Sequence, residues 1–340
     1  MTTSLSAPSD TAADLIFIRT DLPGTTRERV GDGWRYITAT GEAVADPDEI
    51  RRLNAIALPP AYRDAWFAPI ANAHILATGI DAGGRKQYRY HPDYRSERET
   101  LKFGRCASFG KALPAIRAAV EHDLAGRGLT RERALASVVR LLDGGSIRIG
   151  NERYAKANRS FGATTLRTRH LKLTGREVEL RFRAKSGIER RLPLTDRALI
   201  RFVRKVQALP GQHLFQYVED GVPSPVTSDM VNGYLAEIAG ERFTAKDFRT
   251  WGASVMAFEH LLRHPGLPLK AMLEAVAAAL GNTPAITRKS YIHPLLVSAA
   301  RGDVDLGLDR LRLPRRTRWL SREERGLLTL LDNHAPLNGG

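Results

Sequence analysis

The sequence contains a single cysteine, Cys106, among 340 residues. One cysteine excludes an internal disulfide and any zinc site built from several cysteines, so we expect a reducing, cytoplasmic setting. No apolar run approaches the roughly 18 residues of a membrane span, and residues 1–13 have neither the basic nor the apolar region of a secretory signal. We therefore predict a flexible tail over residues 1–13 and no association with membranes.

Several catalytic signatures are also missing. The sequence has no G-x-x-x-x-G-K-[ST] run and no glycine-rich dinucleotide fingerprint after a strand. His260 and His264 have metal-ligand spacing, but Leu261 stands where a zinc protease has glutamate, so core or surface histidines are the better interpretation. No acidic triplet suggests a two-metal nuclease. We predict no cofactor and no metal site, and any chemistry on phosphate proceeds without ATP.

The positive charge is unevenly distributed. The formal net charge is +15, yet residues 1–100 carry 12 Lys/Arg and 14 Asp/Glu, a net of −2. Residues 101–340 therefore carry 40 and 23, a net of +17. An excess confined to one region indicates a surface that binds a polyanion, and we favour nucleic acid. The alternative is an arginine-rich composition that serves only solubility.

The local patterns predict an α+β protein of two domains: a small β-rich domain over residues 14–100 and a larger, mostly helical domain over 101–340 that contains a three-stranded sheet. In the first domain we expect strands at 15–18 and 34–38, and a helix that begins at Asp46-Pro47. Strands at 74–79 and 85–90 form a hairpin. The polar stretch 93–100 is the expected linker.

In the second domain, helical spacing begins near residue 103 and stops at 143–145. Strands follow near 170–173, 177–183 and 188–194, with Lys185 at the tip of the turn between the last two. Helices are expected at 196–207, 228–239, 247–263 and 269–280, the last closed by Gly281. Residues 312–332 add a basic segment and an amphipathic helix.

Tyr291 is the candidate nucleophile. It follows Arg288 and Lys289, and Asn282 lies nine residues upstream. Arg249, in the run KDFRTWG, is expected at the start of a helix, where its guanidinium and backbone N–H groups hold an anion. A single tyrosine served by scattered cations suits phosphodiester chemistry without metal, because the cations neutralise the charge that builds on phosphorus. The alternative for one tyrosine after a helix is a packing role.

These residues resemble the compact bacterial and poxvirus type IB DNA topoisomerases over residues 14–300. The stretches 58–61, 77–79 and 84–92 are similar to the DNA-clamping β domain of that family, and 147–154, reading IRIGNERY, is similar to the segment of its first catalytic arginine. The resemblance assigns that arginine to Arg148, the hairpin lysine to Lys185, the second arginine to Arg249 and the nucleophile to Tyr291. Asn282 replaces the histidine of the poxvirus pattern.

The resemblance implies that Tyr291 cleaves one strand of duplex DNA through a 3′-phosphotyrosyl bond, that the strand swivels, and that the break is resealed without ATP. Because an alkoxide is a stronger base than phenolate, whose pKa is about 10, the leaving oxygen needs an acid, and Lys185 is the first choice. Arg148 assists and, with Arg249 and Asn282, stabilises the transition state. Asn282 can donate a hydrogen bond but cannot carry a proton.

The same resemblance implies a monomer that clamps double-stranded DNA, associated with the nucleoid. Gln87, Tyr88 and Tyr90 lie on one strand that reaches the major groove, where Gln suits adenine and aromatic rings suit thymine methyl groups. For either tyrosine, local packing is the alternative. Three cations are expected to contact DNA as well: Lys246, Arg288 and Lys289.

Two other functions remain open. A tyrosine recombinase uses a similar nucleophile and cations, but it usually has His-x-x-Arg where this chain has Lys246 to Arg249, a histidine at the position of Asn282, and a helical N-terminal domain. A basic architectural DNA-binding protein would explain the charge. It would not explain the ordered series of Arg148, Lys185, Arg249 and Tyr291.

Overall fold

The protein was examined as a computed structural model, which describes residues 15–174 and 177–334; the side chains of 100–102 are also outside the description. The predicted tail, 1–13, and Gly175 of the turn after Thr174 lie outside the described residues. The chain divides into two compact units, Met1–Lys102 and Phe103–Gly340. The roles of clamp and cleaving domain, assigned above to 14–100 and 101–340, stay predictions.

The first unit is built on an antiparallel five-stranded sheet in the order β2-β1-β3-β4-β5. Its strands are β1 (Thr25–Val30), β2 (Gly33–Ile37), β3 (Arg63–Phe67), β4 (Ile75–Ile80) and β5 (Lys86–Tyr90). Helix α1 (Pro47–Ala55) begins at the Asp46 cap and packs Leu53 against Tyr36 and Phe67. The predicted helix and the β4–β5 hairpin are thus confirmed.

Two predictions for this unit are wrong. Residues 15–18 form no strand and only a single bridge from Ile16 to Ala73. The backbone ladder does not continue past this bridge, because the N–H of Ile18 donates to the ring Nδ1 of His74 and not to a backbone carbonyl. The expected linker, 93–100, belongs to helix α2 (Pro92–Ala125). Its arginines and glutamates make it polar on every side, yet both residue types favour the helix.

The second unit is mostly helical, as predicted. Its helices are the remainder of α2, α3 (Arg131–Gly145), α4 (Glu152–Asn158), α5 (Arg197–Val206), α6 (Ser228–Ala239), α7 (Ala245–Arg263), α8 (Leu269–Leu280), α9 (Pro284–Ser290), α10 (Pro294–Arg301) and α11 (Arg322–Asn333). The predicted three-stranded sheet is confirmed as antiparallel β6 (Leu171–Thr174), β7 (Glu177–Arg183) and β8 (Glu189–Pro193). A second hairpin joins β9 (Gln216–Glu219) to β10 (Val222–Pro225).

One apolar core runs through this unit and holds α7 at its centre. Phe248, Trp251 and Phe258 of α7 are buried in it together with residues of α2, α3, α8, α10 and α11. Ile292, directly after Tyr291, is fully buried in the same core. The segments that carry the candidate site therefore share one close-packed interior, which limits how far each can shift. No helix among the described residues is both long and apolar enough to cross a membrane.

Candidate active site

Tyr291 directly follows α9 as its C-terminal cap, and its ring lies against a buried arginine. The side chain is 9% exposed, and the guanidinium carbon of Arg249 is 4.8 Å from the ring centroid. Burial by itself would raise the pKa of the phenol. The positive charges of Arg249, Arg148 and Lys246 outweigh burial and hold the pKa of Tyr291 below its ordinary value. The phenolate form of this tyrosine is therefore favoured relative to a tyrosine in water.

Ser254, on α7, holds the backbone that directly follows the Tyr291 side chain. Its hydroxyl accepts a hydrogen bond from the His293 N–H at 3.0 Å and lies 3.4 Å from the Tyr291 carbonyl oxygen. The hydroxyl also donates to the Thr250 carbonyl one turn earlier, at 2.9 Å. Sequence reasoning missed Ser254, because a serine inside a helix gives no signal of such a contact.

Arg249 differs from its prediction in position. It lies one turn inside α7 and does not cap the helix start, where Asp247 instead accepts from the N–H and hydroxyl of Thr244. The buried guanidinium donates to the carbonyl oxygens of Ser146 and Leu280, which follow and end α3 and α8 respectively. Helix C-termini carry partial negative charge, so they support a buried cation without a carboxylate.

Arg148 and Asn282 are joined by a hydrogen bond from the Arg148 guanidinium to the Asn282 side-chain oxygen. This contact occupies the amide oxygen and leaves the Asn282 Nδ2 buried without a partner among the described residues. The Nε of Arg249 is in the same condition. Buried hydrogen-bond donors normally have an acceptor. Unpaired donors in one cluster are therefore suited to hydrogen-bond the oxygen atoms of a bound anion.

The segment that carries Arg148 is held by a close approach of two glycines. An added Cβ at Gly162 would lie 2.5 Å from the Arg148 carbonyl oxygen, and Gly150 has φ of +92°. Because Gly150 and Gly162 carry no side chain, the two backbone segments approach closely, and the N–H of Ala163 donates to the Arg148 carbonyl oxygen at 2.8 Å. The sequence run containing Arg148 is thus held against residues 162–164.

Lys185 occupies its predicted place at the tip of the β7–β8 hairpin. It is exposed, and it has no hydrogen-bond or ion-pair partner in the described part of the chain. The tip is a tight turn in which Ser186 has φ of +65°. The structure brings Arg148, Arg249, Asn282 and Tyr291 together. Lys185 is an exposed amine on a short loop and forms no hydrogen bond or ion pair with them.

Arg190 is a further cation of this cluster that sequence reasoning missed. It lies on β8, and its guanidinium is 3.4 Å from the Ala278 carbonyl oxygen of α8. Burial and then the charge of Arg148 lower the pKa of Arg190, and its charge also lowers the pKa of Arg249. The signal available was the tandem pair Arg190-Arg191 on the strand after the Lys185 turn.

The cluster is cationic and uncompensated. Within residues 15–174 and 177–334, no carboxylate forms an ion pair with Arg148, Arg190, Arg249 or Lys246. Lys246, Arg288 and Lys289 are all exposed, on α7 and α9 near Tyr291. Several cations converging without an acid generate a strong local positive potential, which is the electrostatic requirement for binding a phosphate. Among the described residues, no three or more His, Cys, Asp or Glu side chains form a group that could hold a metal ion.

The first unit carries the three residues predicted to contact bases. Tyr88 and Tyr90 share a face of β5, stack at 5.8 Å between ring centroids, and are 42% and 39% exposed. The Gln87 amide donates to Asp81 at 2.8 Å. Arg85 and backbone N–H groups also bind this carboxylate and lower the pKa of Asp81 to about 2. Gln87 is therefore oriented by the hairpin loop.

Comparison with known proteins identifies the family. Residues 91–291 match the model of the eukaryotic DNA topoisomerase I catalytic core, and residues 33–81 match the bacterial DNA topoisomerase IB N-terminal domain. The chain belongs to the type IB DNA topoisomerases. It is 31% identical to DNA topoisomerase 1B of Acanthamoeba polyphaga mimivirus over 287 residues, which cover 80% of this chain and 85% of that protein.

The chain also has more distant similarity to other proteins. DNA topoisomerase 1B of vaccinia virus (strain Copenhagen) is 20% identical over 254 residues, or 71% of this chain and 76% of the viral protein. Among solved structures, the XerH site-specific recombinase in its post-cleavage complex with a palindromic difH substrate is 15% identical, with a TM-score of 0.36, over 56% of this chain and 51% of XerH. The family matches favour topoisomerase over the recombinase alternative.

Proposed function

We propose that this enzyme relaxes supercoiled DNA by cutting and resealing one strand through a covalent bond to Tyr291, without ATP or metal. The observation that carries the proposal is the placement of Tyr291 beside Arg249, with Arg148 and Asn282 adjacent and donor atoms unused. Membership of the type IB family supports the same chemistry.

In the proposed cleavage step, the phenolic oxygen of Tyr291 attacks a DNA phosphorus atom. The bond from phosphorus to the 5′ oxygen breaks as the tyrosyl bond forms, and the phenolic proton passes to water. Lys185 supplies the proton that the departing 5′ oxygen takes up. One phosphodiester replaces another, so bond energy is conserved and the reverse attack by the 5′-hydroxyl reseals the strand.

The cations have separate proposed roles. Arg148, Arg249 and Asn282 hold the non-bridging oxygens as charge builds in the transition state. The unused Nδ2 of Asn282 and Nε of Arg249 support this assignment, since each lacks an acceptor among the described residues. Arg190 adds a further guanidinium beside Arg148, strengthening the positive potential at the same oxygens.

The proposed DNA contacts involve residues of both units. Three exposed cations are suited to phosphates that flank the cut. Arg288 and Lys289 lie on α9 shortly before Tyr291, and Lys246 lies on α7. Tyr88 and Tyr90 present an exposed pair of rings, and Gln87 an oriented amide, for contacts with base edges. We propose that the protein acts on double-stranded DNA as a monomer.

Relaxation of plasmid DNA tests the function. We expect purified protein to relax both negatively and positively supercoiled plasmid in the presence of EDTA and in the absence of ATP. Tyr291→Phe is the matched control: it should retain DNA binding, relax neither plasmid, and leave no covalent complex after a detergent quench. Binding without relaxation by the wild-type protein would overturn the proposal. A covalent adduct with Tyr291→Phe would overturn the choice of nucleophile.

A further inference from the structure

The C-terminal end of α7 carries three side chains that can bind a metal ion. Met256, His260 and His264 follow one another at intervals of four residues, which is the spacing of neighbours on one face of a helix. All three line one cavity of about 180 Å³, which Ala275 and Val276 of α8 also line. The cavity therefore brings two imidazoles and a thioether to one place between α7 and α8.

The two histidines lie next to each other, and one of them has an unused nitrogen. Their ring centroids are 5.1 Å apart. The Nε2 of His260 is buried and has no hydrogen-bond partner among the described residues, although buried polar atoms normally have one. Burial, and to a smaller extent the neighbouring His264, lower the pKa of His260. This imidazole is therefore neutral near pH 7, and the neutral form is the one that binds metals.

The cavity offers no free carboxylate. Glu259 also lines it, but the Glu259 carboxylate pairs with Arg263 at 3.3 Å. The charges of this pair offset each other, so the three remaining donors are all uncharged.

An uncharged donor set selects the kind of ion. A thioether is a soft ligand that favours Cu(I), and imidazole also suits copper. Doubly charged ions such as Zn²⁺ and Ca²⁺ are usually held by sites that include thiolate or carboxylate ligands. Two imidazoles and a thioether beside the apolar Ala275 and Val276 therefore favour a soft, singly charged cation.

We propose that Met256, His260 and His264 bind one Cu(I) ion. The ligands are the sulfur of Met256 and one ring nitrogen of each histidine, with Nε2 as the nitrogen of His260 because it lacks any other partner among the described residues. The sequence predicted no metal site because Leu261 breaks the zinc-protease pattern. That pattern has no place for the methionine one turn before His260.

The proposed copper site is distinct from the candidate active site. His260 lies 11 residues after Arg249 on α7, which separates the two residues by roughly 16 Å along the helix axis. The proposed cleavage step therefore does not use the copper ion. Each of the two proposals can fail without affecting the other.

Competition with a chromogenic Cu(I) chelator, under anaerobic conditions, measures the affinity for Cu(I). The wild-type protein should bind one Cu(I) about 100-fold more tightly than H260Q/H264Q, since loss of even a supporting partner of a metal ligand costs about 10-fold or more. The matched control is H122Q/H334Q, which removes two exposed histidines elsewhere and should bind as the wild type does. Cys106 is present in all three proteins, so its thiol does not affect the comparison. Equal affinities of wild type and H260Q/H264Q would overturn the proposal.

Met256→Leu tests the thioether separately and keeps both histidines. Leucine has a similar volume, so the packing of α7 should be retained. The affinity for Cu(I) should fall about 10-fold or more, whereas the affinity for Ni²⁺, which imidazole suits, should not change. Unchanged Cu(I) binding would remove the thioether from the site and contradict the assignment to Cu(I). An equal loss for both ions would mean that Met256 acts only through packing, which also contradicts the proposal.

Discussion

Tyr291 and its cations illustrate how single residues set the chemistry. The phenol is buried, which opposes ionisation, and its pKa is nevertheless held below the ordinary value by Arg249, Arg148 and Lys246. Arg249 can be buried beside it because carbonyl oxygens of Ser146 and Leu280 replace the water that a guanidinium needs. In the proposed mechanism, these positive charges favour the reactive phenolate form of Tyr291.

Lys246 allows this activation to be tested without disturbing the core, since its side chain is exposed. Lys246→Gln removes one charge that favours the phenolate, so the pKa of Tyr291 should move up toward 10. The single-turnover cleavage rate should then reach its plateau at a higher pH than in the wild type. Lys246→Arg retains the charge and should retain the wild-type profile. Identical pH profiles for Gln and wild type would exclude Lys246 from this role.

The proposed role of Lys185 as the acid at the leaving oxygen gives a separate prediction. Lys185→Ala should slow cleavage of ordinary DNA by about 100-fold or more, the usual contribution of a general acid. A substrate with a 5′-bridging phosphorothiolate should restore the rate, since a thiolate departs without a proton. Arg249→Ala serves as the comparison and should not be rescued. Failure of the rescue for Lys185→Ala would assign the acid to another residue.

The sequence predicted these residues unequally. Tyr291, Arg148 and Lys185 stand in local runs whose turns and helix stops are visible, so their places in the fold could be predicted. The contacts of Arg249 could not, because its partners are backbone carbonyls about 100 and 30 positions away along the chain. Arg190 and Ser254 were missed for the same reason: their importance arises only from tertiary packing.

At the scale of elements, α11 stabilises the helix that carries Arg249. Its residue Glu324 is 8% exposed and accepts hydrogen bonds from Arg117 of α2 and from the indole of Trp251, two positions after Arg249 on α7. Arg117 also pairs with Asp143 at the end of α3. One carboxylate and one guanidinium thereby connect four helices around the site.

We predict that Glu324→Ala destabilises the protein by about 3 kcal/mol near neutral pH, because it leaves a buried arginine with one partner fewer. Urea unfolding measures the change. The control is Asp332→Ala, also on α11, which breaks the exposed pair with Lys111 of α2 and should cost less than about 1 kcal/mol. Equal effects of the two variants would show that Glu324 contributes no more than a surface charge.

The pH dependence of this effect follows from the pKa of Glu324. Burial raises that pKa, but Arg117, Ser321 and Trp251 outweigh burial and lower it below 4.5. A lowered pKa means that the carboxylate stabilises the fold above pH 4.5 and that this contribution is lost as the pH falls further. The gap in unfolding free energy between wild type and Glu324→Ala should therefore narrow below pH 4.5.

The sequence did not predict strands and helices whose residues are mostly polar. β1 reads TTRERV and is exposed along most of its length, so its charges gave no apolar alternation although it pairs with both β2 and β3. Residues 93–100 looked like a linker for the same reason and are helical. Helices α5 to α8 and the three-stranded sheet of the second unit were predicted well, because burial on one face imposes a readable period. The β9–β10 hairpin and the short helices α4, α9 and α10 were not predicted.

At the scale of the whole molecule, charge and aromatic contacts are divided between the two units. Residues 101–340 hold a net charge of +17, whereas residues 1–100 are close to neutral and present the stacked Tyr88 and Tyr90. Phosphate contacts lose strength with salt, while contacts of rings with bases do not release counterions. The two kinds of contact should therefore separate in a salt titration of DNA affinity.

We predict that Y88A/Y90A weakens binding to a duplex by about 10-fold or more at every salt concentration and leaves the slope against salt unchanged. Each ring contributes about 1 kcal/mol or more when it contacts a base. Arg288→Gln, which removes a charge near Tyr291, should reduce the slope by about 1. Y88F/Y90F keeps the rings and should bind nearly as the wild type does. A fall in slope for Y88A/Y90A would instead mean that the aromatic pair supports phosphate contacts, and unaltered affinity would confine both rings to packing within the first unit.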